Sequence, residues 1–273
     1  MIRLLKDTDK RIILEYLKRN EIETSFLYAN VVEFGVDNRK DMRRCADYYG
    51  FFDGEVLKGI LPFYNLGSCI PHYEDHNAVQ EYAKIMKQRN FEFLIGMQRV
   101  IKPLYEEIKE YKEIQSYDES SYFINEKFKP FSLEGANFID ANKAINENTV
   151  DFIMDARVYG FKQDTTREEI KKTLMQRGEE EEYIILEHHG VMVSQACVQT
   201  FTPKINQIGG VYTSEKERGR GYCKAVVSEM CRRIVIRGKI PTLSVRKNNI
   251  PAVRAYTSLG FEHYDDYLLV RLR

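Results

Sequence analysis

Residues 214–238 read SEKERGRGYCKAVVSEMCRRIVIRG, and this stretch indicates the fold of the second half of the chain. Apolar residues recur every three or four positions from Cys223 to Ile234, which predicts a helix with one buried face. The tetrapeptide R-G-R-G at 218–221 precedes that helix. The first N–H groups of a helix lack partners within it, and together with the helix dipole they favour an anion. The sequence therefore predicts an anion site, suited to a pyrophosphate, at the start of this helix.

Two other phosphate-binding motifs fail on spacing. A Walker A loop requires G-x-x-x-x-G-K-[ST], which the segment lacks. A dinucleotide fingerprint G-x-G-x-x-G would need glycine where Lys224 stands. A solvated basic turn before a surface helix would show the same four letters, so the residues on either side of the loop must decide between the two interpretations.

The segments before the loop have the pattern of an antiparallel sheet. Residues 182–187 and 191–201 flank His188-His189-Gly190 and predict a hairpin, with 208–213 as the next strand. Two helices should precede this sheet, near 148–159 and 166–177, the second with a capped first turn.

A short strand and a capped helix are predicted after the loop. TLSV at 242–245 has the composition of a buried strand. Asn249 is the expected N-cap of the next helix, with Pro251 in its first turn and Gly260 at its end. Tyr256 lies on the apolar face of this helix and should face back toward the preceding strand.

The pattern N-x-x-A-x-x-x-Y-x-x-x-G-F at 249–261, together with V-Y-T-x-x-x-x-R-G-R-G-Y at 211–222, resembles the signature of the GNAT superfamily of N-acetyltransferases. The resemblance covers roughly residues 150–273, about the length of one domain. It implies an α/β fold with a mixed, mainly antiparallel GNAT-type sheet flanked by helices. It also implies that strands of this sheet splay apart to hold acetyl-CoA as a co-substrate.

In that family the strand before the loop pairs with the pantetheine amides, and the loop and first helical turn hold the phosphates. The residues so implied for cofactor binding are Val211, Tyr212 and Thr213 in the strand, Arg218, Gly219, Arg220, Gly221, Tyr222 and Cys223 around the loop, and Asn249 at the later cap. Family members usually carry Gly or Ala where this chain has Cys223. Cysteine is also small and apolar, so we expect binding to survive this departure.

Tyr256 is the catalytic residue that the resemblance implies. Acetyl transfer needs a neutral amine to attack the thioester, donors for the oxyanion and a proton for the departing thiolate, which a phenol can supply. The chain has 18 tyrosines and most tyrosines simply pack, so core packing is the alternative role for Tyr256. No residue is assigned as the general base, and a water-mediated base fits equally well.

The length of 273 residues favours two domains, predicted as 1–130 and 131–273 with the boundary in KFKPFSLEGAN. The first is expected to be a smaller α/β domain. Its predicted hairpin at 48–64, with a turn at Asp53-Gly54, resembles the one at 182–201 and hints at a diverged duplication. No counterpart of the R-G-R-G loop occurs there, so a degenerate GNAT-like domain that does not bind the cofactor is expected.

Alternating helical and strand segments support a mixed α/β first domain. A helix is predicted near 75–88 and a buried strand at 91–96. A further helix should carry Pro103 in its first turn.

Charge and composition exclude several classes of partner. Lys plus Arg equals Asp plus Glu at 41 each, so no overall basic field attracts nucleic acid or a membrane surface. The opening MIRLLKDTDKR has no apolar run long enough for a signal peptide, and no segment has the length of a bilayer span, so a cytoplasmic location is expected.

Neither the cysteines nor the histidines indicate a metal site. Five scattered cysteines without C-x-x-C spacing favour reduced core thiols. His72 and His76 in PHYEDH could hold a metal, but Pro71 and the polar surroundings favour a plain loop. No metal cofactor is therefore predicted.

The predicted function is an N-acetyltransferase that uses acetyl-CoA and a small-molecule or peptide amine by direct attack in a ternary complex. Two alternatives stay open: a non-catalytic acyl-CoA-binding or regulatory protein, and a tandem-GNAT transferase of another acyl or aminoacyl group. No nucleic-acid or membrane partner is expected. A homo-oligomer stays open.

Overall fold

The structure is a computed structural model that describes residues 1–273. Its helices are α1 (Lys10–Arg19), α2 (Glu21–Phe34), α3 (Ala78–Met86), α4 (Gln98–Ile108), α5 (Glu147–Asp155), α6 (Arg167–Gln176), α7 (Tyr222–Ile236) and α8 (Ile250–Ser258). Its strands are β1 (Ile2–Leu4), β2 (Ala46–Asp53), β3 (Val56–Tyr64), β4 (Ser68–Cys69), β5 (His72–Tyr73), β6 (Phe93–Met97), β7 (Ile114–Ile124), β8 (Ala136–Asp140), β9 (Tyr183–His188), β10 (Val191–Phe201), β11 (Ile205–Thr213), β12 (Ile240–Arg246) and β13 (Glu262–Leu272).

The chain forms two compact units. The N-terminal unit contains residues 1–122 and 264–273, and the C-terminal unit contains residues 123–263. The last residues join the N-terminal unit because β13 pairs antiparallel with β6. The domain division at 130/131 stays a prediction.

In the C-terminal unit the strands lie in the order β12-β11-β10-β9-β8. The pairs β8–β9, β9–β10 and β10–β11 are antiparallel. The pair β11–β12 is parallel. The predicted antiparallel meander is therefore confirmed, and the sheet is mixed and mainly antiparallel.

The residues of β9 show why helices cover both faces of this sheet. Tyr183 and Ile185 belong to the core that also contains residues of α5 and α6, and Ile184 and Leu186 belong to the core that contains residues of α7. All four are buried. Because successive side chains of a strand point to opposite faces, a run without alternation requires cover on both sides.

The hairpin between β9 and β10 forms as predicted. His188 pairs with Val191, which leaves His189 and Gly190 in the turn with φ of 50° and 80°. Two successive residues in the left-handed region suit the twist of a tight hairpin, and glycine adopts that region without strain.

The predicted cap of α6 is also confirmed. The Thr166 side chain accepts a hydrogen bond from the N–H of Glu169 at 3.2 Å, and the Glu169 carboxylate accepts one from the N–H of Thr166 at 2.9 Å. This reciprocal pair satisfies donors that a helix start leaves without partners.

The N-terminal unit contains an antiparallel sheet in the order β1-β2-β3-β5 and a second set of strands in the order β4-β6-β13-β7. The predicted hairpin is present as β2 and β3, where Asp53 pairs with Val56 and leaves Gly54 and Glu55 in the turn. β4, α3 and the parallel strand β6 repeat the order of β11, α7 and β12 in the C-terminal unit. This repeated order is what an internal duplication would produce.

The prediction that Pro103 lies in the first turn of a helix is wrong, because Pro103 lies inside α4. Proline has no N–H to bond the carbonyl of Arg99 one turn earlier. The Tyr73 hydroxyl donates to the carbonyl oxygens of Arg99 and Val100, each at 3.3 Å. A side-chain donor therefore replaces the missing main-chain donor, and burial of the apolar face keeps the helix continuous.

A buried polar network holds α1, α2 and β5 together in the N-terminal unit. The hydroxyl of Tyr16 is 2.5 Å from Nδ1 of His72, and Nε2 of His72 is 3.0 Å from the carboxylate of Glu23. Glu23 also accepts from the Tyr264 hydroxyl at 2.7 Å and forms an ion pair with Arg99. Both ring nitrogens of His72 are thus used within the protein.

The pKa of Glu23 is the net result of opposing effects. Burial alone would raise it, but hydrogen bonds from His72 and Tyr264 and the charge of Arg99 lower it to about 2. The stabilisation that this carboxylate provides is therefore present above its ordinary pKa of 4.5 and is lost as the pH falls toward 2.

We expect Glu23→Gln to lower the free energy of unfolding at pH 7 by about 1–3 kcal/mol, because His72 and Arg99 lose their charged partner. It should also flatten the decline in stability between pH 4.5 and 2. Urea titrations across this pH range measure both effects. Glu15→Gln is the matched control, because Glu15 pairs with Arg11 only at 3.9 Å in solvent. Equal losses in the two variants would contradict the role of the network.

No helix of the structure combines the length and the apolar composition needed to cross a membrane.

Candidate functional site

β11 and β12 are paired along only part of their length. Residues 205–208 of β11 pair with 240–243 of β12, and residues 209–213 have no partner on that side. On its other side β11 stays paired with β10 as far as Thr213, which faces Ser194. The main chain of 209–213 therefore presents hydrogen-bonding groups to the gap between β11 and β12, where an extended ligand could pair with them. We call residues 209–213 the open segment.

Gly210 shapes the start of the open segment. The pairing of β10 with β11 shifts register between Gln195 and Cys197, and Gly210 has a φ of 60°. A Cβ at Gly210 would lie 2.9 Å from Sγ of Cys197, so no other residue fits without movement. Gln195 donates to the carbonyl of Gly210 at 3.2 Å. This irregularity bends β11 where it leaves β12.

The three strand residues predicted to bind a cofactor all lie in the open segment. Val211 packs against the core that contains α7, and Tyr212 points to the opposite face, with ring centroids 6.0 Å from Phe152. The Ser194 hydroxyl donates to the carbonyl oxygen of Tyr212 at 2.8 Å, and Oγ of Ser194 is 2.9 Å from the Thr213 hydroxyl. Ser194 thus fixes the end of the strand.

The open segment leads directly into the predicted anion loop. A 3-10 turn at Glu215–Glu217 is followed by Arg218-Gly219-Arg220-Gly221, and α7 begins at Tyr222. Gly219 and Gly221 have φ of 80° and 84°, which side chains other than glycine rarely adopt. We call residues 218–221 the loop.

The start of α7 has the properties of an anion site. The main-chain N–H groups from Gly219 to Lys224 donate no hydrogen bond within the protein, and no side chain caps the helix. Its first turn contains no acidic residue. Unpaired donors and the positive end of the helix dipole therefore face outward together.

The cations around the loop differ in their partners. Nε of Arg218 donates to the carbonyl of Thr213 at 3.3 Å, and Arg220 forms an exposed ion pair with Glu217 at 2.9 Å. The ammonium of Lys224 lies 4.5 Å from the ring centre of Phe131. Arg220 would have to exchange Glu217 for a phosphate, which an exposed pair permits at small cost.

Tyr222 has a hydroxyl that is paired within the protein. Its side chain is 6% exposed, and its hydroxyl is 3.0 Å from Nδ1 of His188 at the end of β9. A cofactor contact of Tyr222 stays a prediction, and its N–H, which has no partner within the protein, is the group that suits it.

Tyr256 and Cys223 meet between α8 and the first turn of α7. Tyr256 is 5% exposed, and both residues pack in the core that contains α7. Burial raises the pKa of Tyr256 well above its ordinary value, and the neighbouring Cys223 raises it further. The phenol therefore stays protonated at neutral pH and can act as a donor, not as a base.

Asn249 caps α8 as predicted. Its side-chain oxygen accepts from the N–H of Ala252 at 3.4 Å, and Pro251 lies in the first turn. A cofactor contact of Asn249 stays a prediction.

The sequence interpretation missed the contribution of residues 126–135, which it treated only as a boundary. Phe131 packs against the core that contains α7, its N–H donates to the Ser228 hydroxyl at 2.8 Å, and its ring lies 3.6 Å from the position of a Cβ at Gly221. Apolar Phe128, Phe131 and Leu133 in a segment expected to be a linker were the available signal. His188 carried no such signal, because a histidine beside a turn is ordinary.

We expect Cys223 to be a poor nucleophile. Burial raises the pKa of its thiol to about 11, although the hydrogen bond from Tyr256 lowers it. Only the thiolate reacts, so iodoacetamide at pH 8 should label Cys223 about 100-fold more slowly than glutathione, with the rate rising up to pH 11. Site-resolved mass spectrometry measures these rates, and rapid labelling at pH 8 would contradict the raised pKa of this thiol.

Comparison with known families gives one match. Residues 188–270 match the family model described as FR47-like protein. No curated protein matches the sequence.

Solved structures share the fold along the whole chain. A GNAT-family acetyltransferase from Colwellia psychrerythraea is 14% identical, with a TM-score of 0.61 and 100% of both chains covered. A GCN5-related N-acetyltransferase from Sphaerobacter thermophilus is 15% identical, with a TM-score of 0.64, 99% of this chain and 94% of its own chain covered. A tandem GNAT protein from the clavulanic acid biosynthesis pathway is 10% identical, with a TM-score of 0.57, 100% of this chain and 98% of its own chain covered. At these identities the likeness concerns the fold, and the predicted α/β fold class is confirmed.

Proposed function

We propose that this chain, whose C-terminal unit belongs to the GNAT superfamily, transfers an acetyl group from acetyl-CoA to an amine. The family match spans 211–222 and 249–261, the two motifs that carry the resemblance, so the recognition made from sequence is confirmed. The activity, the acceptor and the residue roles are our proposal.

The observation that carries the proposal is the continuity between the open segment and the start of α7. Unpaired main-chain groups at 209–213 suit the two amides of a pantetheine arm, which can pair with a strand edge. The free N–H groups from Gly219 to Lys224 suit the diphosphate at the end of that arm. The order of these two features along the chain matches the order of the two groups in CoA.

In the proposed reaction the neutral amine nitrogen attacks the thioester carbonyl, a C–N bond forms and the C–S bond breaks. The amine loses one proton to water or to a base that we leave unassigned, and the thiolate gains one to give CoA. The Tyr256 phenol donates a hydrogen bond to the departing sulfur. Its raised pKa keeps the proton on the phenol, because an ordinary thiol is the stronger acid. The phenol therefore stabilises the thiolate through this hydrogen bond, and the proton that completes CoA comes from water.

Binding of CoA tests the proposal most directly. Isothermal titration should give a dissociation constant for CoA and acetyl-CoA at least about 100-fold lower than for pantetheine, which lacks the diphosphate. The affinity for CoA should fall as salt rises, because the site recognises charge. Absence of heat with both CoA and acetyl-CoA, at protein concentrations that would reveal millimolar binding, would refute the proposed function.

Tyr256→Phe tests the catalytic role. We expect kcat to fall by about 100-fold or more, because the departing sulfur loses its donor, while the dissociation constant for acetyl-CoA changes less than about twofold. CoA release from acetyl-CoA with a panel of small and peptide amines measures turnover. Tyr111→Phe is the matched control, since Tyr111 is 61% exposed in the N-terminal unit.

The same measurements distinguish the proposed enzyme from the alternative, a non-catalytic protein. A wild-type protein that binds acetyl-CoA but releases CoA with no amine in the panel would favour a non-catalytic acyl-CoA-binding protein. Unchanged turnover in Tyr256→Phe would instead support the assignment as an enzyme and exclude Tyr256 from its mechanism.

A further inference from the structure

His188 connects two segments on either side of the start of α7. Its Nδ1 is 3.0 Å from the Tyr222 hydroxyl, and its Nε2 is 3.1 Å from the carbonyl oxygen of Glu134. The rings of His188 and Tyr222 have centroids 5.1 Å apart. The family signature contains neither of these contacts, and the reaction proposed above does not use His188.

The partners of His188 determine which nitrogen carries hydrogen. A carbonyl oxygen can only accept, so Nε2 must be the N–H that donates to Glu134. In the neutral ring Nδ1 is then an acceptor, and the Tyr222 hydroxyl is the donor. With both nitrogens engaged, rotation of the ring would break two hydrogen bonds, so His188 is a fixed anchor.

The segment that carries Glu134 is fitted closely to this ring. Gly135 follows with a φ of 73°, and a Cβ there would lie 3.4 Å from Nε2 of His188. Such a contact is tight, and the left-handed conformation adds strain for any residue with a side chain. The position of the acceptor is therefore set by the main chain.

The anchor acts within the anion site, at the first residue of α7. Tyr222 directly follows Gly221, whose φ of 84° turns the chain into α7. No side chain caps this helix, so its first turn lacks the usual local restraint. The Tyr222 hydroxyl, bonded to His188, supplies a restraint from a strand 34 residues earlier.

We propose that His188 is a positioning residue for the diphosphate site: through the Tyr222 hydroxyl it fixes the first turn of α7, so that the N–H groups beside Gly221 are oriented before CoA binds. This inference rests on the proposed function, because it concerns the same site. Fixing the donors in advance lowers the entropy lost on binding and so strengthens the affinity for the phosphates. His188 need not touch the ligand.

A double-mutant cycle of His188→Ala and Tyr222→Phe tests the inference. Tyr222→Phe keeps the ring and removes only the hydroxyl, so the core packing of Tyr222 is retained. Each single variant should weaken CoA binding by about 3- to 10-fold, the effect of one hydrogen bond. The double variant should bind no more weakly than the weaker single variant, because both remove the same interaction.

Three further readouts separate positioning from a general loss of structure. KM for acetyl-CoA should rise while kcat at saturation stays within about twofold, and the affinity for pantetheine should be unchanged. His188→Gln, whose amide can both accept and donate, should restore most of the CoA affinity. His76→Ala, an exposed histidine of the N-terminal unit, is the control and should bind CoA like the wild type.

The outcomes are distinguishable from failure of the proposed function. If the wild type does not bind CoA, the proposed function itself fails. If the wild type binds CoA and Tyr222→Phe binds it equally well, or if the losses in the two single variants multiply in the double variant, only the role of His188 is overturned. Should His188→Ala unfold, the comparison of Tyr222→Phe with the wild type decides alone.

Discussion

The partial pairing of β11 with β12 is the constraint on which the candidate site depends. A parallel pair that continued to Thr213 would satisfy the main chain of β11 and leave nothing for a ligand. The bend at Gly210, where Cys197 leaves no space for a side chain, separates the two strands instead. Because β10 pairs with the other side of β11 as far as Thr213, the open segment is held in place while one of its edges remains unpaired.

The start of α7 also leaves main-chain groups without partners, in this case at the end of a helix. Helix starts in proteins usually carry a side-chain cap or acidic residues, and this one has neither. The start of α7 combines free N–H groups with the cationic side chains of Arg218, Arg220 and Lys224. This arrangement is energetically unfavourable without a ligand and suited to binding an anion. The chain stabilises this arrangement from outside the helix, through His188 on Tyr222 and through Phe131 beside Gly221. Stability of the site therefore comes from tertiary contacts that leave the donors free.

The N-terminal unit repeats the order of elements but not the site. At the start of α3 the Asp75 carboxylate accepts from the N–H of Asn77 at 2.9 Å, so an acidic group already occupies the position where an anion would bind. Beside it, the Tyr73 hydroxyl bonds to main-chain carbonyls of α4. These contacts favour a structural role for this unit and support our assignment of CoA to the C-terminal unit alone.

The sequence by itself determined the features that depend on neighbouring residues. The periodicity of α7, the turn at His189-Gly190, the cap of α8 by Asn249 and the glycines of the loop all follow from interactions within a few positions, which local patterns record. Only the tertiary structure decided which way the Tyr222 side chain points, that Tyr256 meets Cys223, and that residues 264–273 join the N-terminal unit. It also decided that Pro103 lies within α4, where the Tyr73 hydroxyl compensates for the missing N–H. These outcomes depend on packing between residues far apart in the chain, and periodicity and spacing carry no record of such contacts.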